Sequence, residues 1–171
     1  MKLVEVETQR FVDNITSITP GALKGGLQAV DRHPTKQELL IGGADGAPKI
    51  YKMFRDKARQ IGDDFNLIRA FPQMPGRIFS VAYSRDGTKI VAGSSNAGAG
   101  QVAVFAEADA KPLLKLDVPE SGIYAVAFSA DGNTVAAGGF DGLVRLINVA
   151  DGKVTKQFLP VTITPKVVSG K

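Results

Sequence analysis

The sequence predicts an all-β protein built from copies of one four-stranded antiparallel unit. Three observations carry this prediction: short runs in which apolar and small residues alternate, Asp-Gly pairs between the runs, and recurrence of the whole pattern along the chain. Alternation places successive side chains on opposite faces of a strand, and Asp-Gly tolerates the positive φ of a tight hairpin turn. Four short strands joined by such turns form one blade of a β-propeller.

The clearest copy of the unit is IYAVAFSADGNTVAAGGFDGLVRLINV, from Ile123 to Val149. Its alternating runs are separated by Asp-Gly pairs at regular intervals, which is the pattern of a meander of short strands. The predicted strands are Ile123–Phe128, Thr134–Gly138, Leu143–Val149 and Val154–Leu159, and the turns are Asp131-Gly132, Asp141-Gly142 and Asp151-Gly152.

Two earlier segments repeat this unit. IFSVAYSRDGTKIVAGSS begins at Ile78, 45 residues before Ile123, and LQAVDRHPTKQELLIGGADG begins at Leu27, a further 51 residues back. A period of this size is typical of propeller blades. The extra length of the first copy is the charged segment FRDKARQIGDDFNLIR, between Met53 and Phe71. We expect it to spread the second hairpin of that blade apart and to lie on the rim.

The start of the chain predicts only half a blade. MKLVEVETQR aligns with VRLINVADGK, residues 144–153, so the chain enters at a third strand and Phe11–Ile18 serves as the fourth. The predicted domain, 1–160, then comprises a half blade at 1–18 and blades at 27–71, 78–118 and 123–159, followed by a tail at 161–171.

Three and a half blades are too few to close a propeller, which needs about 4 to 8. We therefore expect either the C-terminal piece of a larger propeller or a homodimer of about seven blades. The open edges lead us to expect that the isolated chain dimerises or aggregates.

Composition excludes several classes of function. The chain has no cysteine, so disulfides, thiolate metal sites and cysteine nucleophiles are excluded. Its 21 basic and 17 acidic residues are interspersed, which favours a solvated surface over a nucleic-acid site. No apolar run approaches the length of a membrane span or a signal peptide, so we expect no membrane role and leave the compartment open.

The pattern V-x-x-V-x-F-S-x-D-G…A-x-G-x-x-D-G-x-V-x-L resembles the WD40 repeat, most fully over Ile123–Val149. It departs from the family where Ile147–Val149 replaces the tryptophan-aspartate ending and where the Gly-His before the first strand is absent. The degenerate form, together with DDFNLIR and the crossing TPGALKGGLQAV, is similar to bacterial WD40 proteins in which a cytochrome-c-like segment precedes the propeller. This sequence does not include such a segment, so the resemblance implies no haem. In the family a histidine links the hairpin aspartate to the first strand through hydrogen bonds. Asp45 and Asp141 match that aspartate in the first and third copies, and Asn96 takes its place in the second. Loss of the histidine implies less rigid blades.

Two motifs suggest chemistry that their context does not support. His33 is the only histidine, and one histidine supplies neither a metal site nor a triad, so we interpret it as structural. Gly98–Ala103, GAGQVA, fits a dinucleotide fingerprint, but a strand and not a helix is predicted after it. We interpret it as a hairpin enlarged by three residues.

Charged motifs are equally open to a structural interpretation. Asp86-Gly87 and Asp131-Gly132 bring one acid per turn, whereas a calcium loop needs several oxygen ligands. A basic cluster in the insertion is interrupted by Asp56 and favours a solvated rim loop over a phosphate site. Its members are Lys49, Lys52, Arg55, Lys57 and Arg59. We expect neither metal nor cofactor.

The remaining candidate is a surface for protein binding. The WD40 resemblance implies that partners bind the top face, made by the loops before first strands and the hairpins after second strands. The positions that carry over are Gly26, Gln28 and Ala44, then Arg77, Phe79 and Ser95, then Gly122, Tyr124 and Phe140. Arg77, Phe79, Tyr124 and Phe140 are our predicted contacts because arginine and aromatic residues anchor interfaces. Phe79 and Tyr124 are equally consistent with packing between blades.

The leading hypothesis is a non-catalytic scaffold that binds an unidentified protein. The first alternative is an enzyme with a site at the central channel. First strands offer Gln28, Asp31, Arg77, Ser80 and Tyr124 to that channel, without a matched pair of acids. The second alternative is a truncated gene product without independent function.

Overall fold

A computed structural model of the chain describes residues 2–14, 26–55, 58 and 66–161. Within these ranges the chain is all-β, and it contains no helix long and apolar enough to cross a membrane. The strands are β1 Lys2–Val4, β2 Phe11–Asn14, β3 Leu27–Arg32, β4 Glu38–Gly43, β5 Lys49–Lys52, β6 Leu67–Ala70, β7 Arg77–Tyr83, β8 Lys89–Asn96, β9 Ala99–Ala106, β10 Pro112–Val118, β11 Ile123–Phe128, β12 Thr134–Gly139, β13 Val144–Asn148 and β14 Val154–Phe158.

The strands form three antiparallel four-stranded sheets and one two-stranded sheet. The sheet orders are β3-β4-β5-β6, β7-β8-β9-β10 and β11-β12-β13-β14, and β1 pairs with β2. Within each sheet, strands that follow one another in sequence pair with each other, as expected for a meander. β5 and β6 pair although residues 53–66 lie between them. The predicted fold class, half a blade plus three antiparallel blades in an open arc, is confirmed. We call the sheets the half blade, first, second and third blade in chain order.

The core lies between the blades. Alternation along the strands gives the blades apolar faces, and these faces pack against each other between the first and second blades and between the second and third. Leu40 and Ile50 of the first blade meet Ile78 and Phe105 of the second. The layer between second and third blades is built likewise, from Val91, Val102, Val104, Ile123, Val135 and Ile147 among others.

Glycines let the blades approach closely. A Cβ built on Gly42 in β4 stands 2.9 Å from Val81 Cγ1, and it also collides with Ile78 of the second blade. A Cβ on Gly93 in β8 stands 2.6 Å from Ile123 Cγ2 and 3.0 Å from Val126 Cγ1. Two side chains three residues apart on a first strand therefore pack directly over a glycine of the preceding blade, a contact that only glycine permits. We call this contact a glycine seat.

A serine and an aspartate close the first hairpin of the second and third blades. Ser84 Oγ donates to Asp86 Oδ1 at 2.6 Å, Thr88 N donates to the same oxygen at 3.1 Å, and Lys89 N donates to Ser84 Oγ at 2.9 Å. Ser129 and Asp131 repeat this arrangement in the third blade, with the backbone N–H groups of Asn133 and Thr134 as the donors. Asp86-Gly87 and Asp131-Gly132 are therefore hairpin turns, as predicted.

Two predicted boundaries are wrong. The segment taken as insertion includes β6, the fourth strand of the first blade, because Leu67 and Ile68 pack against the core layers while Arg69 faces Glu107. In the second blade the three extra residues lengthen β8 and β9 and do not enlarge the loop. Ala97 and Gly98 alone form the turn, with φ of 50° and 90°.

The half blade stands beside the first blade. Leu3 packs on the cluster of Leu39, Ile41 and Tyr51. The predicted fourth strand is described as far as Asn14; its continuation to Ile18, the crossing at 19–25, Met1 and the tail from 162 lie outside the described residues.

Replacing Gly132 or Gly142 with valine tests the turn assignment. Both glycines have positive φ, 67° and 74°, where a β-branched residue is strained by about 1–3 kcal/mol. We expect either variant to lower the thermal midpoint by roughly 2–4 °C per kcal/mol. Ala127→Val, at an exposed strand position of the same blade, is the control and should melt like the parent. Unchanged melting of both glycine variants would refute the assignment.

Acid titration tests the Ser-Asp turn. The hydrogen bonds from Ser84 and Thr88 lower the pKa of Asp86 to about 2. Because the folded pKa lies below the unfolded value of about 4, the carboxylate stabilises the fold above pH 4 and loses this effect as pH falls toward 2. We expect Asp86→Asn to melt below the parent at pH 7, with the gap closing between pH 4 and pH 2. Glu120→Gln, an exposed carboxylate, is the control; a constant gap contradicts the assignment.

Candidate interaction surface

The described part of the upper face of the arc is formed by Gly26 before β3, by the loops entering β7 and β11, and by the hairpins β4–β5, β8–β9 and β12–β13. Phe79 of β7 and Tyr124 of β11 meet there, with ring centroids 4.9 Å apart at an interplanar angle of 64°. They bridge the second and third blades, and Tyr124 keeps 44% of its surface exposed. The pair therefore packs between blades and also presents an aromatic edge to solvent.

Phe140 extends this aromatic edge. It lies in the β12–β13 hairpin with 82% of its surface exposed, and its backbone N–H donates to Gly122 O at 3.0 Å. Gly122 also lies against Tyr124, since an added Cβ would stand 3.2 Å from the Tyr124 hydroxyl. The structure therefore brings Phe79, Tyr124 and Phe140 into one neighbourhood.

Arg77 lies on the other side of Phe79. It borders a depression of about 520 Å³ between the first and second blades, lined also by Ala44, Asp45, Gln73, Phe79 and Ser95 among others. No hydrogen bond or ion pair joins the Arg77 side chain to another residue in the described ranges. By contrast, Asp45 in the same wall pairs with Lys49. Arg77 thus contributes an exposed cation beside an aromatic ring, which suits a carboxylate next to an apolar group.

Ion pairs hold the hairpin aspartates of the first and third blades. Asp45 pairs with Lys49, and Asp141 pairs with Arg145 through both guanidinium nitrogens. Arg145 holds the pKa of Asp141 below its usual range. Sequence reasoning missed these cations, although D-x-x-x-K and D-x-x-x-R were visible signals. They tie each hairpin to its third strand, and the lower rigidity implied by the missing family histidine stays a prediction.

In the first blade, His33 takes the place of the serine that accepts backbone N–H groups in the first hairpin of the other two blades. It is buried, and its Nδ1 accepts from Thr35 N at 3.2 Å and from Lys36 N at 3.0 Å. Its ring also packs edge-on against Tyr83, with centroids 4.9 Å apart. This geometry supports the structural interpretation of His33.

The other candidates are accounted for by local structure. Gly98–Ala103 lies in a turn and in β9, without a following helix, so the dinucleotide context is absent. In the part of the chain that is described, no three acidic or histidine residues cluster as a metal site. Lys49 corrects the basic-cluster interpretation: its side chain is largely buried against Asp45 and is not part of a solvated loop. Lys57 and Arg59 lie outside the described residues.

Two residues considered for a channel site are engaged between blades. Asp31 Oδ2 accepts from Tyr83 N at 2.8 Å, and Ser80 Oγ accepts from Val126 N at 3.1 Å. Each bond runs from one first strand to the next. Their positions are explained by inter-blade bonding without any reaction.

Comparison with known proteins agrees with this architecture. Residues 110–148 match the family described as WD domain, G-beta repeat, a stretch that runs from β10 through β13. The chain is also 34% identical over 132 residues to "Periodic tryptophan protein 2 homolog" of Mus musculus. That alignment covers 77% of this chain and 13% of the relative, so the chain spans a small part of the relative's length. Both matches, together with the four-stranded blades, support the WD40 family for this chain.

Proposed function

We propose that this chain is a non-catalytic interaction module, part of a larger propeller, that binds a protein partner on its upper face. The observation that supports the proposal is that Arg77, Phe79, Tyr124 and Phe140 lie near one another at the upper ends of the second and third blades. An exposed cation, three aromatic rings and a depression beside them are the residue types and shape of an interface anchor. The family resemblance supports the same face.

The partner we propose is a peptide segment with a carboxylate close to an aromatic or aliphatic side chain. The carboxylate pairs with Arg77, and the apolar group packs against the exposed edge of Tyr124 and Phe140. No nucleic-acid or membrane role is proposed. The alternatives are an enzyme with a site at the central channel and a truncated gene product. The resemblance to bacterial WD40 proteins with a cytochrome-c-like segment stays a prediction, and it implies no haem in this chain.

Panning a phage-displayed random peptide library against the chain tests the binding proposal. We expect enriched peptides to contain an acidic and an apolar residue, and to lose about tenfold or more in affinity on Arg77→Ala or Phe140→Ala. Arg85→Ala is the matched control, because Arg85 is an exposed arginine in the turn at the other end of the β7 strand. Peptides insensitive to both upper-face variants, or no enrichment at all, would contradict the proposal.

The completion of the arc is a separate proposal. We favour further blades of a larger protein, and a homodimer of about seven blades is the alternative. Sedimentation at micromolar concentration distinguishes the two: a discrete dimer of the 18.0 kDa chain supports the homodimer. Release of a monomer by added upstream repeats supports the larger propeller. A stable, cooperatively unfolding 18.0 kDa monomer would contradict the need for completion.

A further inference from the structure

The β8–β9 hairpin of the second blade is longer than its two counterparts on the upper face. β8 and β9 have eight residues each, whereas β4 and β12 have six, β5 has four and β13 has five. Asn96 and Ala99 are the last paired residues before the turn, in which Ala97 and Gly98 have positive φ. We call this end of the hairpin, Asn96 to Ala99, the ridge.

The ridge lacks the ion pair that the other two upper hairpins contain. The hairpin aspartates of the first and third blades each pair with a cation on the following strand, Lys49 or Arg145. The second blade has Asn96 at the aspartate position, and the fully buried Ala103 holds the register position of the cations. Among the described residues, none hydrogen-bonds to the Asn96 side chain, which is exposed. Asn96 thus presents an amide with two N–H donors and one carbonyl acceptor.

Two depressions meet at Asn96. The first is the depression of about 520 Å³ that Arg77 also lines. The second has a volume of about 250 Å³ and borders β9 and β10. The other residues that line it are Pro75, Ala99, Gly100, Asp117 and Pro119. Asn96 is common to both linings and therefore stands between the two depressions.

The two depressions differ in chemistry. Arg77 gives the first an exposed cation, which suits a carboxylate. Prolines, an alanine and a glycine form most of the second, and its one carboxylate, Asp117, accepts from Gln101 Nε2 at 2.7 Å. A side chain that enters the second depression therefore meets mainly apolar walls, which suit an aliphatic or proline residue.

Arg77 and Asn96 lie close enough to contact one bound segment. A Cβ built on Gly76 stands 2.6 Å from Asn96 Cβ, so the ridge packs against the backbone that leads directly into Arg77. In an extended segment, side chains two residues apart point to the same side about 7 Å from each other. The main chain of the residue between them then passes over Asn96.

We propose that Asn96 determines which partner segments bind the upper face, by hydrogen-bonding to the main chain of an extended segment that crosses the ridge. Its carbonyl accepts from the N–H, and its amide donates to the C=O, of one partner residue. A neighbour of that residue places a carboxylate on Arg77, and the neighbour on its other side places an apolar side chain between Pro75 and Pro119. The segment therefore has an acidic and an apolar residue two positions apart. This inference rests on the proposed function and specifies the pattern of its partner.

A methylated peptide tests the main-chain contact. The strongest Arg77-dependent peptide from the library is synthesised with a fluorophore, with and without an N-methyl group on the residue between the acidic and apolar ones. We expect methylation to weaken binding to the parent by about five- to tenfold, because it removes the N–H from which Asn96 accepts. Asn96→Ala should weaken binding of the unmethylated peptide similarly. In that variant methylation should then weaken binding by less than about twofold.

Gln37→Ala is the matched control, because Gln37 is an exposed carboxamide in the β3–β4 hairpin at the lower end of the first blade. This variant should bind both peptides as the parent does. An N-methyl effect of equal size in the parent and in Asn96→Ala overturns the inference, since the cycle then shows no coupling between the two groups.

Ala99→Glu tests the apolar depression. A carboxylate in this wall should remove the preference for an apolar partner residue. Panning on the variant should still enrich acidic peptides that depend on Arg77, without an apolar residue two positions away. Peptides that keep this pattern overturn the inference. A thermal midpoint within about 2 °C of the parent checks that the variant is folded.

The outcomes separate this inference from the proposed function. Peptides that depend on Arg77 but are insensitive to Asn96→Ala overturn the inference alone. If no peptide depends on Arg77, both the proposed function and the inference are overturned. A dimer of the parent chain that Asn96→Ala dissociates also overturns the inference, because a second copy then occupies the ridge.

Discussion

Close contact between an aliphatic pair on one blade and a strand glycine on the preceding blade is the interaction on which the described arc depends. Gly42 receives Ile78 and Val81, and Gly93 receives Ile123 and Val126. Removing the Cβ at one position lets two branched side chains reach the neighbouring backbone, which brings the apolar layers to interior packing density. Each blade is thus stabilised mainly by its contacts with neighbouring blades, as in other stacked-repeat proteins.

This packing also positions the candidate interaction surface. β7 and β11 are held side by side by their glycine seats and by the Ser80–Val126 hydrogen bond. That spacing sets Phe79 and Tyr124 at ring-contact distance, and it leaves the hairpin with Phe140 standing beyond them. The partner face is therefore a consequence of blade spacing, and disturbing a seat should disturb the face.

Local chemistry explains what the sequence could predict. Asp-Gly turns, alternating strands and the repeat were readable because each depends on neighbouring residues, and Gly132 and Gly142 have the positive φ that the turns require. The boundary of β6 was missed because Leu67–Ala70 follows a charged run and includes Arg69, so its alternation is weak.

Contacts between distant segments could not be read in the same way. The Phe79–Tyr124 contact joins residues 45 positions apart and depends on how the blades pack. The sequence therefore left open whether the two residues face a partner or pack between blades. The pairing of Arg145 with Asp141 had a short-range signal that went unused. The glycine seats had one too, since glycine inside a strand pattern marks a close approach of another segment.

Alanine substitution at matched glycines tests the central role of the seats most directly. Gly93→Ala places a Cβ 2.6 Å from Ile123 Cγ2, whereas among the described residues the nearest atom to a Cβ at Gly138 in β12 is Ala125 Cβ, at 3.8 Å. Chemical denaturation should show that Gly93→Ala lowers the free energy of unfolding by about 1–3 kcal/mol. Gly138→Ala should leave the free energy unchanged or raise it slightly, because alanine suits a strand better than glycine. Equal effects of the two substitutions would contradict the account.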